Sequence, residues 1–269
     1  MRGIGVKVVT GGASISSMPW LTWVDIVKDR YNLDLVNTAS KGLGNEAIIL
    51  RTLYQAKQAK TNNVLCVVML TNIDKWDWYV DTDTDRFENQ KHGITKLDDN
   101  HEGGFWSTGN WFPDQKQHYH DQYYNQNYFA YKTLKAIQLF VSICDKYGWL
   151  YKILFDSPIL SNTQTELDHS IIDCDGHKLF DNELCSWMFD SVMSDLQIFT
   201  PGLIGFCEQN NIAWQGEPFH GHPGPLAHYL YTQQHVYPAL DAIFDTAVPE
   251  ATLQDLVNRM QADWPHRWQ

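Results

Sequence analysis

Apolar and polar positions along the chain fall into blocks with two different periods. Residues 6–10 are a short apolar run that predicts a buried strand. Residues 19–31 put Trp20, Val24, Val27 and Tyr31 near one face of a helix. A second strand is expected over 33–37. A second helix follows over 45–60, with Ile48, Ile49, Leu53 and Ala56 at helical spacing. Residues 64–70 are continuously apolar, the pattern of a central parallel strand covered on both faces. From about 73 to 126 the chain is polar, aromatic and Gly-rich, with no sustained period. A structureless stretch of that length is rare in a compact domain and is usually functional. Periodicity resumes with a helix over 128–146 and a fourth strand over 150–155. A second polar stretch covers about 157–181. A helix is expected over 182–199, a short last strand over 212–214 and a final core helix over 225–244, with Pro225 at its start. Pro249 then sets off a small amphipathic helix over 252–262.

Strands alternating with helices imply an α/β fold. The expected architecture is a doubly wound parallel sheet of about five strands, flavodoxin-like, with long insertions. It forms one body over 1–247, with insertions at about 73–126 and 157–181 and a C-terminal helix and tail at 248–269. Sites in such sheets lie at the carboxyl ends of strands. The first insertion is expected to cover that edge.

Composition narrows the function classes. Of 269 residues, 43% are hydrophobic and 19% are charged, which suits a chain with a sizeable core. The net charge of −12, with no basic run, excludes a nucleic-acid partner and disfavours an anionic membrane surface. The N-terminus has no apolar stretch of signal-peptide length, and no window approaches a membrane span. Five cysteines without Cys-x-x-Cys spacing are expected to be buried free thiols in a reducing compartment, and a cytoplasmic protein is expected. Eleven tryptophans are an excess with two uses, core packing and the lining of a ligand cleft.

Two segments carry candidate chemistry. Gly12-Ala13-Ser14-Ile15 follows the first strand, and His220-Gly221-His222-Pro223 precedes the last core helix. The first lacks the second glycine of a lipase-type nucleophile elbow, which would stand at Ser16. It also lacks the lysine of a phosphate-binding loop. On its own, a serine after two glycines suits a helix-capping turn as well as a nucleophile.

Four short blocks, in order, resemble those of the SGNH (GDSL-type) hydrolase family. They are Gly12-Ala13-Ser14-Ile15, then Asn37 with Gly42 five residues on, then Thr71-Asn72-Ile73-Asp74, then Phe219-His220-Gly221-His222-Pro223. The resemblance spans roughly residues 4–245. It implies the doubly wound fold and an ester hydrolase that needs no cofactor or metal. Ser14 would be the nucleophile and His222 its general base. The backbone N–H groups of Ser14 and Gly42 and the side-chain amide of Asn72 would form an oxyanion hole, each donor contributing about 3 kcal/mol. Three blocks depart from the family pattern. Ala13 stands where the family has Asp, Thr71 and Ile73 flank Asn72, and Phe219 takes the place of the triad carboxylate. Glu217 and Asp74 are the acids that could replace it through space.

The remaining features bear on substrate. Trp76, Trp78 and Trp106 in the first insertion, with His220, are the candidate substrate-binding residues. Stacked rings among Asp, Asn and Gln suit a carbohydrate face, and a satellite core is the plainer use. The expected substrate is a small-molecule or carbohydrate ester, such as an O-acetyl sugar. A fold retained for glycan binding or assembly without turnover is the alternative. His118, His120, His220, His222 and His228 also admit a metal site, and solvent-facing loop histidines are the plainer reading. Asp81-Thr82-Asp83-Thr84-Asp85 lacks the glycine and distal glutamate of a calcium loop and reads as a solvated acidic stretch. The C-terminal helix is expected to pack on the body or on a second copy in a homo-oligomer. The aromatic insertions also resemble those of SGNH-like proteins encoded by bacterial viruses.

Overall fold

A computed structural model describes residues 5–73, 75–80, 95–96, 104–108, 126–156, 187, 202–213, 222–244 and 251–261. Its centre is the strand β3 (Val64–Leu70), in which all seven residues are buried. Alternate side chains leave a strand on opposite faces. Cys66, Val68 and Leu70 therefore enter one core, and Leu65, Val67 and Met69 enter the other. Three further strands run parallel to it: β1 (Lys7–Gly11), β2 (Leu35–Asn37) and β7 (Leu150–Phe155), in the order β2-β1-β3-β7. Helices α2 (Asn45–Gln58) and α3 (Gln126–Tyr147) cover the first face. Helices α1 (Trp23–Tyr31), α4 (Leu203–Gln209) and α5 (Pro225–Tyr231) cover the second. This is the doubly wound α/β sheet expected. The last expected strand is not formed at residues 212 and 213, and residue 214 lies outside the described set.

Helix α1 starts at Trp23 rather than at residue 19. The Asp25 carboxylate accepts from the Thr22 backbone N–H at 2.9 Å and from its hydroxyl at 2.8 Å. That capping box fixes the first turn, so residues 19–22 lie outside the helix. At the other end Asn32 takes the left-handed conformation, φ 47°, and closes the helix. Helix α5 continues through a π-helical turn (Thr232–Val236) into α6 (Tyr237–Asp241). Pro238 has no N–H for the carbonyl four residues back, and the wider turn absorbs the loss.

The first insertion is not structureless. Strands β4 (Trp76–Val80), β5 (Thr95–Lys96) and β6 (Gly104–Thr108) form an antiparallel sheet in the order β4-β6-β5. The polar–apolar alternation of Trp76-Asp77-Trp78 is too short, and its strand too aromatic, for a period-2 reading to pick out β4. Phe105 anchors the sheet in the α2–α3 core at 4% exposure, with Tyr79 edge-on to it at 5.4 Å.

Helix α7 (Leu253–Gln261) packs on its own body. Leu256 is buried with Leu21, Ile26 and Tyr237, and Arg259 pairs with Asp29 at 2.6 Å. Cys66, Cys144 and Cys207 are buried free thiols, as expected; Cys174 and Cys185 lie outside the described residues. No helix among the described residues is long and apolar enough to cross a membrane.

The site end of β1 depends on a close approach. A Cβ on Gly11 would collide with the Thr52 hydroxyl and crowd Ile48, both on α2. Gly11→Ala should therefore destabilise the fold by about 1–3 kcal/mol. The midpoint of urea unfolding reads this, and an unchanged midpoint would show that α2 yields without cost.

Candidate active site

β1 delivers its chain directly into a tight turn. Gly12 follows Gly11, and a Cβ there would strike the Ser16 side chain. Ser14 then opens a single 3-10 turn (Ser14–Ser16), closed by Ser16 N–H to Ala13 O at 3.1 Å and Ser17 N–H to Ser14 O at 2.9 Å. The Ser14 side chain is half-buried. His222, also half-buried, stands three residues before α5, whose first residue is Pro225. Its Nε2 lies 2.9 Å from Ser14 Oγ, across 208 positions of sequence. An imidazole nitrogen at that distance can take a hydroxyl proton.

The neighbouring loops are tied to this turn. Thr38 N–H donates to Thr10 O at 2.8 Å and Ser40 N–H to Gly12 O at 3.2 Å, so the β2 loop runs alongside the Ser14 loop. The Asn37 amide donates to Ser16 O at 2.9 Å, and its oxygen accepts from Thr10 Oγ1 at 3.2 Å and Ala39 N–H at 3.1 Å. Gly42 lies further along the same loop at φ +78°, a conformation glycine adopts without a Cβ penalty. Asn72 is half-buried, two residues beyond β3, with Thr71 held by Asn45. The Asn45 side chain accepts from Thr71 N–H at 2.8 Å and donates to Thr71 O at 2.9 Å. Ser14, Gly42 and Asn72 thus stand on three successive loops at one sheet edge. The bond to Ser14 brings His222 to the same place.

Some contributors have no short-range signal in sequence. Asn45 and Asp77 are the clearest. The buried Asp77 carboxylate accepts from Gly44 N–H at 2.8 Å and Ala47 N–H at 3.0 Å, capping α2 from strand β4. The insertion sheet is thereby joined to the loop that carries Gly42. Trp76 and Trp78 lie in β4 and Trp106 in β6, with Trp78 directly opposite Trp106. Their side chains, and all of His220, Phe219, Glu217, Asp74, His118, His120 and residues 81–85, lie outside the described residues.

No protein-family model matches the chain, and no curated protein matches its sequence. Among solved structures the chain is similar to a protein described as lipolytic, of the G-D-S-L family, from Desulfitobacterium hafniense. Identity there is 9%, with 84% of this chain and 95% of that one covered and a TM-score of 0.45. It is also similar to the acetyl xylan esterase AlAXEase, at 11% identity, 87% and 99% coverage and a TM-score of 0.41. A third structure, described as an acylhydrolase from Bacteroides fragilis, shares 12% identity over 88% and 87%, with a TM-score of 0.36.

His228 is a core histidine. It is 0% exposed, and its Nδ1 accepts the Trp23 backbone N–H at 3.2 Å, which takes that nitrogen out of any metal site. Burial, and then the charge of nearby His222, push its pKa from the ordinary 6.5 down to about 3. Above pH 6.5 the ring is neutral in both folded and unfolded chains. As pH falls from 6.5 towards 3, only the unfolded chain gains the proton. Stability should then drop by up to about 1.4 kcal/mol per pH unit from this group alone. Urea unfolding at pH 7.5, 6, 5 and 4 should show that loss in the parent and a shallower one in His228→Asn. Parallel curves would refute it.

Proposed function

We propose that the protein is a serine ester hydrolase with Ser14 as nucleophile and His222 as general base. The 2.9 Å contact between Ser14 Oγ and His222 Nε2 carries the reading. The order of the four sequence blocks supports it independently. His222 takes the hydroxyl proton as Ser14 Oγ bonds to the carbonyl carbon. The tetrahedral oxyanion is held by the N–H groups of Ser14 and Gly42 and the amide of Asn72. Collapse breaks the ester C–O bond, and the alcohol leaves with the proton from His222. Water, deprotonated by the same imidazole, then releases the acid and restores Ser14. The residues supply nucleophile, base and oxyanion donors without a cofactor.

The substrate in this reading is an O-acyl ester of a small molecule or carbohydrate, with Trp76, Trp78, Trp106 and His220 as substrate contacts. The aromatic-rich insertion joined through Asp77 to the Gly42 loop favours a sugar. Phe219, in place of the family's triad carboxylate, favours a second reading, in which the fold binds a glycan without turnover.

A fluorophosphonate separates the two. It should phosphonylate the parent on Ser14 with loss of fluoride, leave Ser14→Ala unlabelled, and label His222→Ala at least about 100-fold more slowly. The parent should also release acetate from an acetylated xylo-oligosaccharide, and Ser14→Ala should not. An unlabelled parent, with all three proteins folded, would reject the hydrolase and leave the binding protein.

A further inference from the structure

Ser14 and His222 both sit on turns outside the sheet register. Strand pairing alone does not set their separation. The short segment 20–23, which runs from just after the Ser14 turn into the first residue of α1, makes three hydrogen bonds that do. Trp20 Nε1–H donates to Pro223 O at 3.2 Å, gripping the residue next to His222. Trp23 Nε1–H donates to Ser16 Oγ at 2.9 Å, within the turn that Ser14 opens. Trp23 backbone N–H donates to His228 Nδ1 at 3.2 Å, on the helix that follows His222. Trp23 and His228 are 0% exposed and Trp20 is 8% exposed. Water therefore does not compete for these bonds.

We propose that Trp20, Trp23 and His228 are positioning residues for the serine–histidine pair: a brace that ties the nucleophile's turn to the base's turn. This rests on the hydrolase reading of Ser14 and His222. Trp23 is the pivot, since its indole holds one turn and its backbone holds the helix behind the other. That backbone N–H is one of the first-turn donors a helix cannot satisfy internally. His228 satisfies it and so acts as a cap supplied from α5. The accepting Nδ1 leaves the ring proton on Nε2 and keeps His228 neutral. The three bonds end on Pro223 O, Ser16 Oγ and His228 Nδ1, none of them a reacting atom. Their effect is on distance and angle, where a displacement of about 1 Å costs about 100-fold in rate.

The test is fluorophosphonate inactivation of Trp20→Phe, His228→Leu and His228→Asn, followed over probe concentration, with melting temperatures measured beside it. Trp20→Phe keeps an aromatic ring and removes only the donor to Pro223. His228→Leu removes the acceptor for Trp23, and His228→Asn places an amide oxygen near the Nδ1 position. Trp20→Phe and His228→Leu should lower the saturating rate by about tenfold or more, with half-saturation within about twofold of the parent. His228→Asn should recover to within about threefold of the parent rate, assayed well below every melting temperature. Should His228→Leu fail to fold, Trp20→Phe and His228→Asn carry the comparison. Parent-like rates in folded Trp20→Phe, or a loss in His228→Asn as deep as in His228→Leu, overturn the brace alone. An unlabelled parent overturns the hydrolase reading and the brace with it.

Discussion

Parallel pairing is the constraint on which the site depends. Parallel strands cannot be joined by a hairpin, so each must leave its sheet at the same edge and return by a crossover. β1 and β7 both pair with β3, and β2 pairs with β1, all parallel. The chain therefore leaves β1, β2, β3 and β7 on one side of the molecule. Ser14, Gly42, Asn72 and the buried Asp156 all follow from that single fact. Asp156 marks the point where the edge meets the second face. Its N–H bonds to Leu70 O at 2.8 Å, and its carbonyl accepts from Ile204 N–H, one residue into α4, at 2.6 Å. His222 comes from elsewhere, on the turn before α5.

Topology brings the loops to one edge without fixing their shapes. That second task falls to side chains borrowed from other elements, three of the four buried. Asn45, at the start of α2, clamps both backbone groups of Thr71. Asp77, on the insertion sheet, caps α2. Asn37, at the end of β2, reaches Ser16. His228, on α5, caps α1. Leaving any such buried donor or acceptor unpaired costs about 1–3 kcal/mol. The loops thus hold one conformation although none is long enough to have a core of its own. The insertion has a place in this scheme whatever it binds, because its Asp77 holds the helix end next to the Gly42 turn.

The elements legible in the sequence were those whose burial is two-sided or strictly periodic. Residues 64–70 read as a strand because they are apolar throughout, residues 150–155 read as one although Lys152 interrupts the run, and both are strands with those bounds. Hydrophobic spacing sets the start of helix α1 four residues too early, at 19, because it cannot see the Thr22–Asp25 box that begins it. β4 was missed because aromatic residues occupy both of its faces. Within the site, Ser14 and His222 were legible through the order of short blocks, and the structure places their side chains in contact. Asn45 and Asp77 were not legible as residues that shape the site, and His228 was legible only as a possible metal ligand. Their partners are remote in sequence, Trp23 and His228 being 205 positions apart, and no local pattern encodes such a bond.

Tryptophan content illustrates the same limit from the other side. Composition offered two uses for these residues, filling a core or lining a cleft. Trp20 and Trp23 do fill space, both being buried. A buried indole also carries an N–H that must find an acceptor. Here the acceptors are Pro223 O, next to His222, and Ser16 Oγ, in the turn that Ser14 opens. Phenylalanine in either position would satisfy the hydrophobic pattern and most of the packing, yet remove one of the bonds that tie these turns together. The identity of these two residues therefore holds information that hydropathy does not. It becomes readable only when the partner of each N–H is known.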